Sequence, residues 1–138
     1  MIKREDLIYP ELSYKIIGCA FEVFNAIGGG HKEIVYQKAL DAAFNEKGIP
    51  FTGQHYYPVK FKGVVVGRNF FDFCVEGKVI VELKSAGRFT KQNYNQVLNY
   101  LHVSELKLAL LISFGTEEVR CKRVINFKKI DLPENTDS

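Results

Sequence analysis

Asp72, Glu82 and Lys84 are the residues whose types and spacing could do chemistry. Glu82 and Lys84 interrupt the run Val79-Ile80-Val81-Glu82-Leu83-Lys84-Ser85, an otherwise apolar strand. Residues i and i+2 of a strand point the same way, so the acid and the base share one face and Val81 and Leu83 share the other. Asp72 supplies a second acid ten positions before Glu82. Two carboxylates within a few ångströms repel, and one takes up a proton unless a cation compensates. Mg²⁺ (or Mn²⁺) compensates through one or two carboxylates while keeping several waters. A bound cation of this kind polarises a phosphoryl oxygen and acidifies a water, and Lys84 could steer that water or stabilise charge developing on the phosphate. The set suits metal-assisted hydrolysis of a phosphodiester. The competing reading is an ordinary ion pair on the solvated face of an antiparallel strand.

The register of one hairpin decides whether the acids meet. A two-residue loop, Glu76-Gly77, would place Asp72 opposite Val81 and separate them. A three-residue loop, Val75-Glu76-Gly77, pairs Cys74 with Lys78 and puts a glycine at the left-handed bulge position. Asp72 then lies opposite Ile80 with Glu82 as its diagonal neighbour on the same face. Phe71, Phe73, Val79, Val81 and Leu83 fall together on an apolar face, so the core pattern selects the same register.

The elements that must hold this hairpin are legible. Pro10 suits a first helical position, and Ile16, Ile17, Ala20, Phe21, Phe24 and Ile27 follow at helical spacing, with Phe21 and Phe24 expected in the core. Gly28-Gly29-Gly30 ends that helix. A second helix runs from about His31 to Lys47 with Val35, Ala39, Ala42, Ala43 and Glu46 along one stripe, and Gly48 and Pro50 stop it. Three strand-like segments follow, near 54–61, 64–74 and 78–84, with Lys62-Gly63 as the first turn. Thr90 is an N-cap for a third helix with Tyr94, Val97, Leu98 and Leu101 as its stripe. Leu108–Phe114 reads as a buried strand and Val119–Ile125 as a last one. The order α-α-β-β-β-α-β-β predicts an α/β (α+β) domain with a mixed sheet.

The 138 residues are expected to form one domain, 1–138, with its core near 31–114 and a frayed polar tail at 131–138. No apolar run approaches the ~20 residues that span a bilayer, and Met1–Asp6 do not open a signal peptide. A cytoplasmic protein with no membrane partner is expected. Cys19, Cys74 and Cys121 form no CxxC and read as reduced thiols in or near the core, which argues against zinc. A net charge of +3 permits nucleic-acid binding without demanding it. The basic residues gather at Lys84, Arg88 and Lys91, and again at Arg120, Lys122, Arg123, Lys128 and Lys129, which a solvated surface also explains.

Asp72 followed by Glu82-Leu83-Lys84 resembles the PD-(D/E)XK nuclease superfamily, although Phe71 stands where the pattern has proline. The resemblance implies a restriction-endonuclease-like α-β-β-β-α-β core, which the periodicities give independently, here with an extra N-terminal helix and a C-terminal strand. Gly30-His31-Lys32-Glu33-Ile34-Val35-Tyr36 is similar to the signature of the GxxExxY family, grouped with these nucleases. Gln96-x-x-x-Tyr100-Leu101 and the closing apolar strand agree, so the likeness runs from about Leu12 to Val124. It implies a Mg²⁺- or Mn²⁺-dependent nuclease acting on nucleic acid, taken here as DNA, with Asp72 and Glu82 as metal ligands.

The same resemblance implies that Glu33, on the second helix, joins the metal shell directly or through water, and that Gln96 lies over the site. Without it, Glu33 is a helix-dipole acid and Gln96 a polar flank. Tyr36 shares a helix face with Glu33, Tyr100 with Gln96, and Asn93 stands one turn before Gln96; each is a supporting candidate. Ser85, Arg88 and Lys91 could contact a phosphate backbone. His31, His55 and His102 have no ligand spacing, and Phe51, Tyr56 and Tyr57 read as core or dimer contacts. The rival functional expectation is a catalytically silent nuclease fold that binds nucleic acid or a protein partner. A homodimer would supply two sites for cutting both strands of a duplex.

Overall fold

A computed structural model describes residues 8–126; the frayed tail expected at 131–138, and Lys128 and Lys129, lie outside them. Helix α1 spans Pro10–Ile27 and α2 spans Glu33–Glu46. The strands are β1 (Phe51–Phe61), β2 (Val64–Val75) and β3 (Val79–Ser85). Helix α3 (Lys91–Ser104) and strands β4 (Leu108–Phe114) and β5 (Val119–Ile125) follow. This is the order that the periodicities predict.

The sheet runs β1-β2-β3-β4-β5, so each strand lies beside its sequence neighbour. Among the described residues only β3 and β4 pair in parallel. A parallel pair needs a crossover, and α3 supplies it. The crossover puts α3 on the sheet face opposite α1 and α2, with one core on each side. The first core joins α1 and α2 to Phe73, Val75, Val79, Val81, Leu83 and the odd-face partners on β4, Leu110 and Phe114 among them. The second joins α3 to Phe71, Cys74, Ile80, Ala109, Leu111 and Val124. Strand β4 is buried on both faces, which its unbroken apolar sequence anticipates.

Pro10 opens α1, and Leu12, Ile16, Cys19, Ala20 and Val23 form its buried stripe. Phe21 is exposed and Phe24 only half-buried, correcting their placement in the core. On α2 the buried residues are Tyr36, Leu40, Ala43 and Phe44, with Val35 turned outward, a rotation of the expected stripe by about one position. The aromatic rings Tyr36 and Phe44 take the core, and the smaller alanines and Val35 yield to them. Lys62-Gly63 forms the first hairpin turn, both residues with positive φ (50° and 83°), as a type I′ turn requires.

The second hairpin differs in detail from the expected register. Val75 pairs with Val79, Cys74 with Ile80 and Phe73 with Val81, so its loop is Glu76-Gly77-Lys78. Glu76 and Gly77 both carry positive φ, and the Lys78 N–H closes the turn on the Val75 carbonyl. The pairing therefore shifts by two, an even step that keeps Asp72 and Glu82 together and Phe73 opposite Val81. Asp72 lies one step beyond the last pair, across from Glu82 rather than Ile80. Phe71 does not stay on the face of Phe73. It packs with Cys74 and Ile80 beneath α3.

Gly29, between α1 and α2, approaches the backbone of Gly115 and Thr116 in the β4–β5 turn so closely that a Cβ would collide with their carbonyls. The α1–α2 loop is thereby held against the end of β4, and this fixes where α2 begins.

Candidate active site

The β2–β3 ladder ends where the acids begin. The Asp72 N–H donates to Glu82 Oε1 at 2.6 Å, and the Leu83 N–H donates to Asp72 Oδ2 at 2.7 Å. Each strand's carboxylate satisfies an N–H of the other strand, so side chains replace backbone pairing at this point. The charge-assisted bonds fix both carboxyl groups. One oxygen of each is committed to a backbone N–H, and the two carboxyl groups also hydrogen-bond to each other.

Burial is the main cause of an electrostatic deficit at this pair. It raises the pKa of Glu82 well above the usual carboxylate range, with the Asp72 charge adding to the shift. Asp72 moves in the same direction, chiefly through burial, while its bond from Leu83 opposes the shift. Glu33 also raises both, so three acids share one field. Lys84 projects from the same face as Glu82 and is half-buried, with no hydrogen bond or ion pair to any of the described residues. The Glu82–Lys84 ion pair that the strand sequence allows is not formed.

Glu33 is brought up by the start of α2. Its Oε1 accepts the Ser85 N–H at 3.2 Å, and the Ser85 hydroxyl donates to the His31 carbonyl. The end of β3 is thus tied to the start of α2. Glu33 is exposed and spends an oxygen on Ser85. Among the described residues no three His, Cys, Asp or Glu side chains are grouped as a metal cage. Glu33 acts on the pair by charge, raising the pKa of both acids.

The remaining candidates divide. Tyr36 is fully buried and stacks on Phe114, with ring centroids 4.2 Å apart. Its hydroxyl donates to the Gly28 carbonyl at 2.7 Å and accepts the His31 N–H at 3.3 Å, so it fastens the glycine loop rather than reaching the acids. Tyr100 is buried beneath β1 and β2, its hydroxyl 2.5 Å from His55 Nε2 and its ring against Phe71. Asn93 caps α3, exchanging bonds with Thr90. Gln96 is exposed on α3. Arg88 and Lys91 line a groove of about 1080 Å³ that also takes in Leu111 and Ser113, the β4 partners of Glu82 and Lys84. That groove also takes in Arg120 and Lys122, whose role the sequence did not single out. Their alternate spacing put them on one strand face, but which face needs the sheet order.

A divalent cation fits this donor set. Two hard carboxylate oxygens face each other in a buried site that holds too much negative charge, and Mg²⁺ or Mn²⁺ asks for little more from a protein.

The sequence matches the PD-(D/E)XK nuclease superfamily over residues 10–128, most of the chain. The chain belongs to that superfamily. Its mixed sheet, with α2, β1–β3, α3 and β4 in order, is the restriction-endonuclease-like core. Nucleases of this superfamily generally use divalent metals, so the match agrees with the donor set. No curated protein matches the chain. The fold is similar to that of a solved structure described as "Crystal structure of SSO0001", with a TM-score of 0.50 and 12% identity. The similarity covers 88% of this chain and 59% of that one. Among the described residues no helix is long and apolar enough to cross a membrane.

Proposed function

We propose that this PD-(D/E)XK protein is a divalent-metal-dependent nuclease hydrolysing phosphodiester bonds in DNA, with residues 1–138 acting as one nuclease-like domain. The observation that carries the reading is the reciprocal clasp of Asp72 and Glu82, whose raised pKa values a cation would relieve. Asp72 and Glu82 would hold the cation through the oxygens not spent on the Leu83 and Asp72 N–H groups. Bound there, a divalent ion supplies Lewis-acid polarisation of the phosphoryl group and a more acidic water. Lys84, beside Glu82 on the strand, holds its ammonium where charge builds on the phosphate oxygens or orients the attacking water. Glu33 keeps the field negative and, through Ser85, aligns the end of β3. Gln96 is kept as a residue that meets substrate from α3.

The chain also reads as a member of the GxxExxY group, because the three motif positions do three separate jobs. Gly30 takes φ 89°, Glu33 meets Ser85, and Tyr36 pins Gly28 and His31.

The test is cleavage of single- and double-stranded DNA with Mg²⁺ or Mn²⁺ by the wild type, Glu82→Ala and Lys84→Ala. Metal-dependent cleavage that both variants lose is the expected result. Cleavage that survives both changes places the chemistry elsewhere. Calorimetric titration with Mn²⁺ then separates a silent module, which takes up no metal at millimolar concentration, from an enzyme awaiting its substrate.

A further inference from the structure

The strand registers carry the site two strands further than the acids. Glu82 pairs with Leu111 and Lys84 with Ser113 across β3 and β4. Leu111 pairs with Lys122 and Ser113 with Arg120 across β4 and β5. Paired residues share a face, so Glu82, Leu111 and Lys122 form one row and Lys84, Ser113 and Arg120 the next. With strands about 4.8 Å apart, Lys122 stands roughly 10 Å from Glu82 on the same surface. The neighbouring Arg123 points the other way, donating to Ser13 and the Ile8 carbonyl on the α1 side, so it takes no part.

The groove of about 1080 Å³ lies over the β4–β5 part of these rows, roofed by the β3–α3 loop and the start of α3. Arg88, Lys91, Arg120 and Lys122 line it, against two acids, Glu117 and Glu118. Arg120 pairs with Glu118 at 2.5 Å, but both side chains are largely exposed, and an exposed pair of this kind is worth little. A phosphate can take the guanidinium from it. Lys122 lies over the Tyr94 ring, 4.9 Å from its centroid, which holds the ammonium in the groove. Phe89 and Tyr94 are half-buried, each with one side against the α3 core and another lining the groove.

Cations that track a backbone, combined with aromatic rings, are what an unpaired strand needs. Its base faces are free to stack, whereas a duplex keeps them inside. We propose that this groove binds a single-stranded segment of nucleic acid, with phosphates on Arg88, Lys91, Arg120 and Lys122 and a base against Phe89, and leads that strand across the sheet to Asp72, Glu82 and Lys84. The proposal deepens the nuclease reading and rests on it for the direction of the strand, but the binding itself needs no turnover.

The test is fluorescence anisotropy of a labelled deoxythymidine oligonucleotide on the full chain, without divalent metal and over a range of salt. The expected result is binding tighter than to a duplex of equal length. Arg120→Gln/Lys122→Gln should lower the salt slope by about 1.4, since each single-strand phosphate contact contributes about 0.7. Phe89→Leu, which keeps an apolar contact with the core, should weaken binding about tenfold with the slope unchanged. Melting curves confirm that the variants remain folded. Equal or tighter binding of the duplex overturns the proposal, as does a slope that the double variant leaves unchanged. Binding that behaves as expected in a protein that cleaves nothing with Mn²⁺ keeps the groove and rejects the nuclease. Cleavage with an unaltered slope in the double variant keeps the nuclease and rejects the groove.

Discussion

Asp72 gives its backbone N–H to Glu82, and the two carboxyl groups face each other one step past the last paired residues of β2 and β3. The bond fixes Glu82 in a position where burial opposes its charge. Holding two acids together in this way costs stability that a bound cation would restore.

Glu82→Gln should therefore stabilise the metal-free protein, and increasingly so as pH rises. The folded-state pKa of Glu82 is raised above its ordinary 4.5. Above that value the folded state binds more protons than the unfolded chain, so stability falls as pH rises toward the folded pKa. Glutamine keeps the oxygen that accepts the Asp72 N–H and removes the charge. At pH 5 the two proteins should melt closely together. At pH 8 the variant should be more stable by about 1 kcal/mol or more, each pKa unit being worth about 1.4. Denaturant melts at the two pH values check this, and a variant less stable than wild type at pH 8 would mean that the acid serves the fold alone.

Divalent metal should reverse the same deficit. Mn²⁺ at about a hundred times its dissociation constant should stabilise the wild type by about 2.7 kcal/mol. Asp72→Asn and Glu82→Gln should each lose most of that gain, since each leaves one carboxylate. Glu33→Gln should lose little, because Glu33 adds charge from outside the pair and its glutamine keeps the oxygen for the Ser85 N–H. Thermal melts with and without Mn²⁺ separate the three, and a full loss in Glu33→Gln would return that residue to the metal shell.

Much of this arrangement is readable in the sequence, and the failures have physical causes. Strand period, turn glycines and helix caps act locally, so Lys62-Gly63, Thr90 and Leu108–Phe114 fall where the pattern places them. The acid pair is legible because a register error of two keeps Asp72 and Glu82 on one face, whereas an error of one would have hidden it. Phe71 and Phe21 depart from their expected places because packing between elements, not spacing within one, decides which residues are covered. Tyr36 and Asn93, polar groups beside the motif, make their hydrogen bonds locally. Their partners, Gly28, His31 and Thr90, are equally local and account for them. Arg120 and Lys122 are legible as part of a basic cluster, but their nearness to Glu82 is not, because it exists only through the parallel pairing of β3 with β4.

Lys84 stands where its loss should show in rate and in little else. It is half-buried on the strand face of Glu82 and has no partner among the described residues. Lys84→Met removes the charge and keeps the apolar stem, so the fold should be unchanged. Removing a group that stabilises transition-state charge costs about 10²–10³ in rate. The expected outcome is a cleavage rate reduced by about that factor, with Mn²⁺ affinity preserved or improved once the competing positive charge is gone. Single-turnover cleavage alongside Mn²⁺ calorimetry checks both. A variant that loses metal affinity with its activity would make Lys84 a support of the acid pair.

Tyr36→Phe should have the opposite signature. The hydroxyl lies on Gly28 and His31, while the ring stacks on Phe114 and is retained in the variant. Leaving the Gly28 carbonyl and the His31 N–H short of a partner should cost about 1–3 kcal/mol. His31 also accepts the Ser85 hydroxyl through its carbonyl, so a looser loop would act on the end of β3 before it acts on the acids. Below the melting transition, cleavage per folded molecule should therefore remain within a few-fold of wild type and Mn²⁺ affinity should be unchanged. Melting curves and single-turnover rates at low temperature read the two effects separately. A large loss of rate in a fully folded Tyr36→Phe protein would place the hydroxyl in the chemistry, against the bonds it makes here.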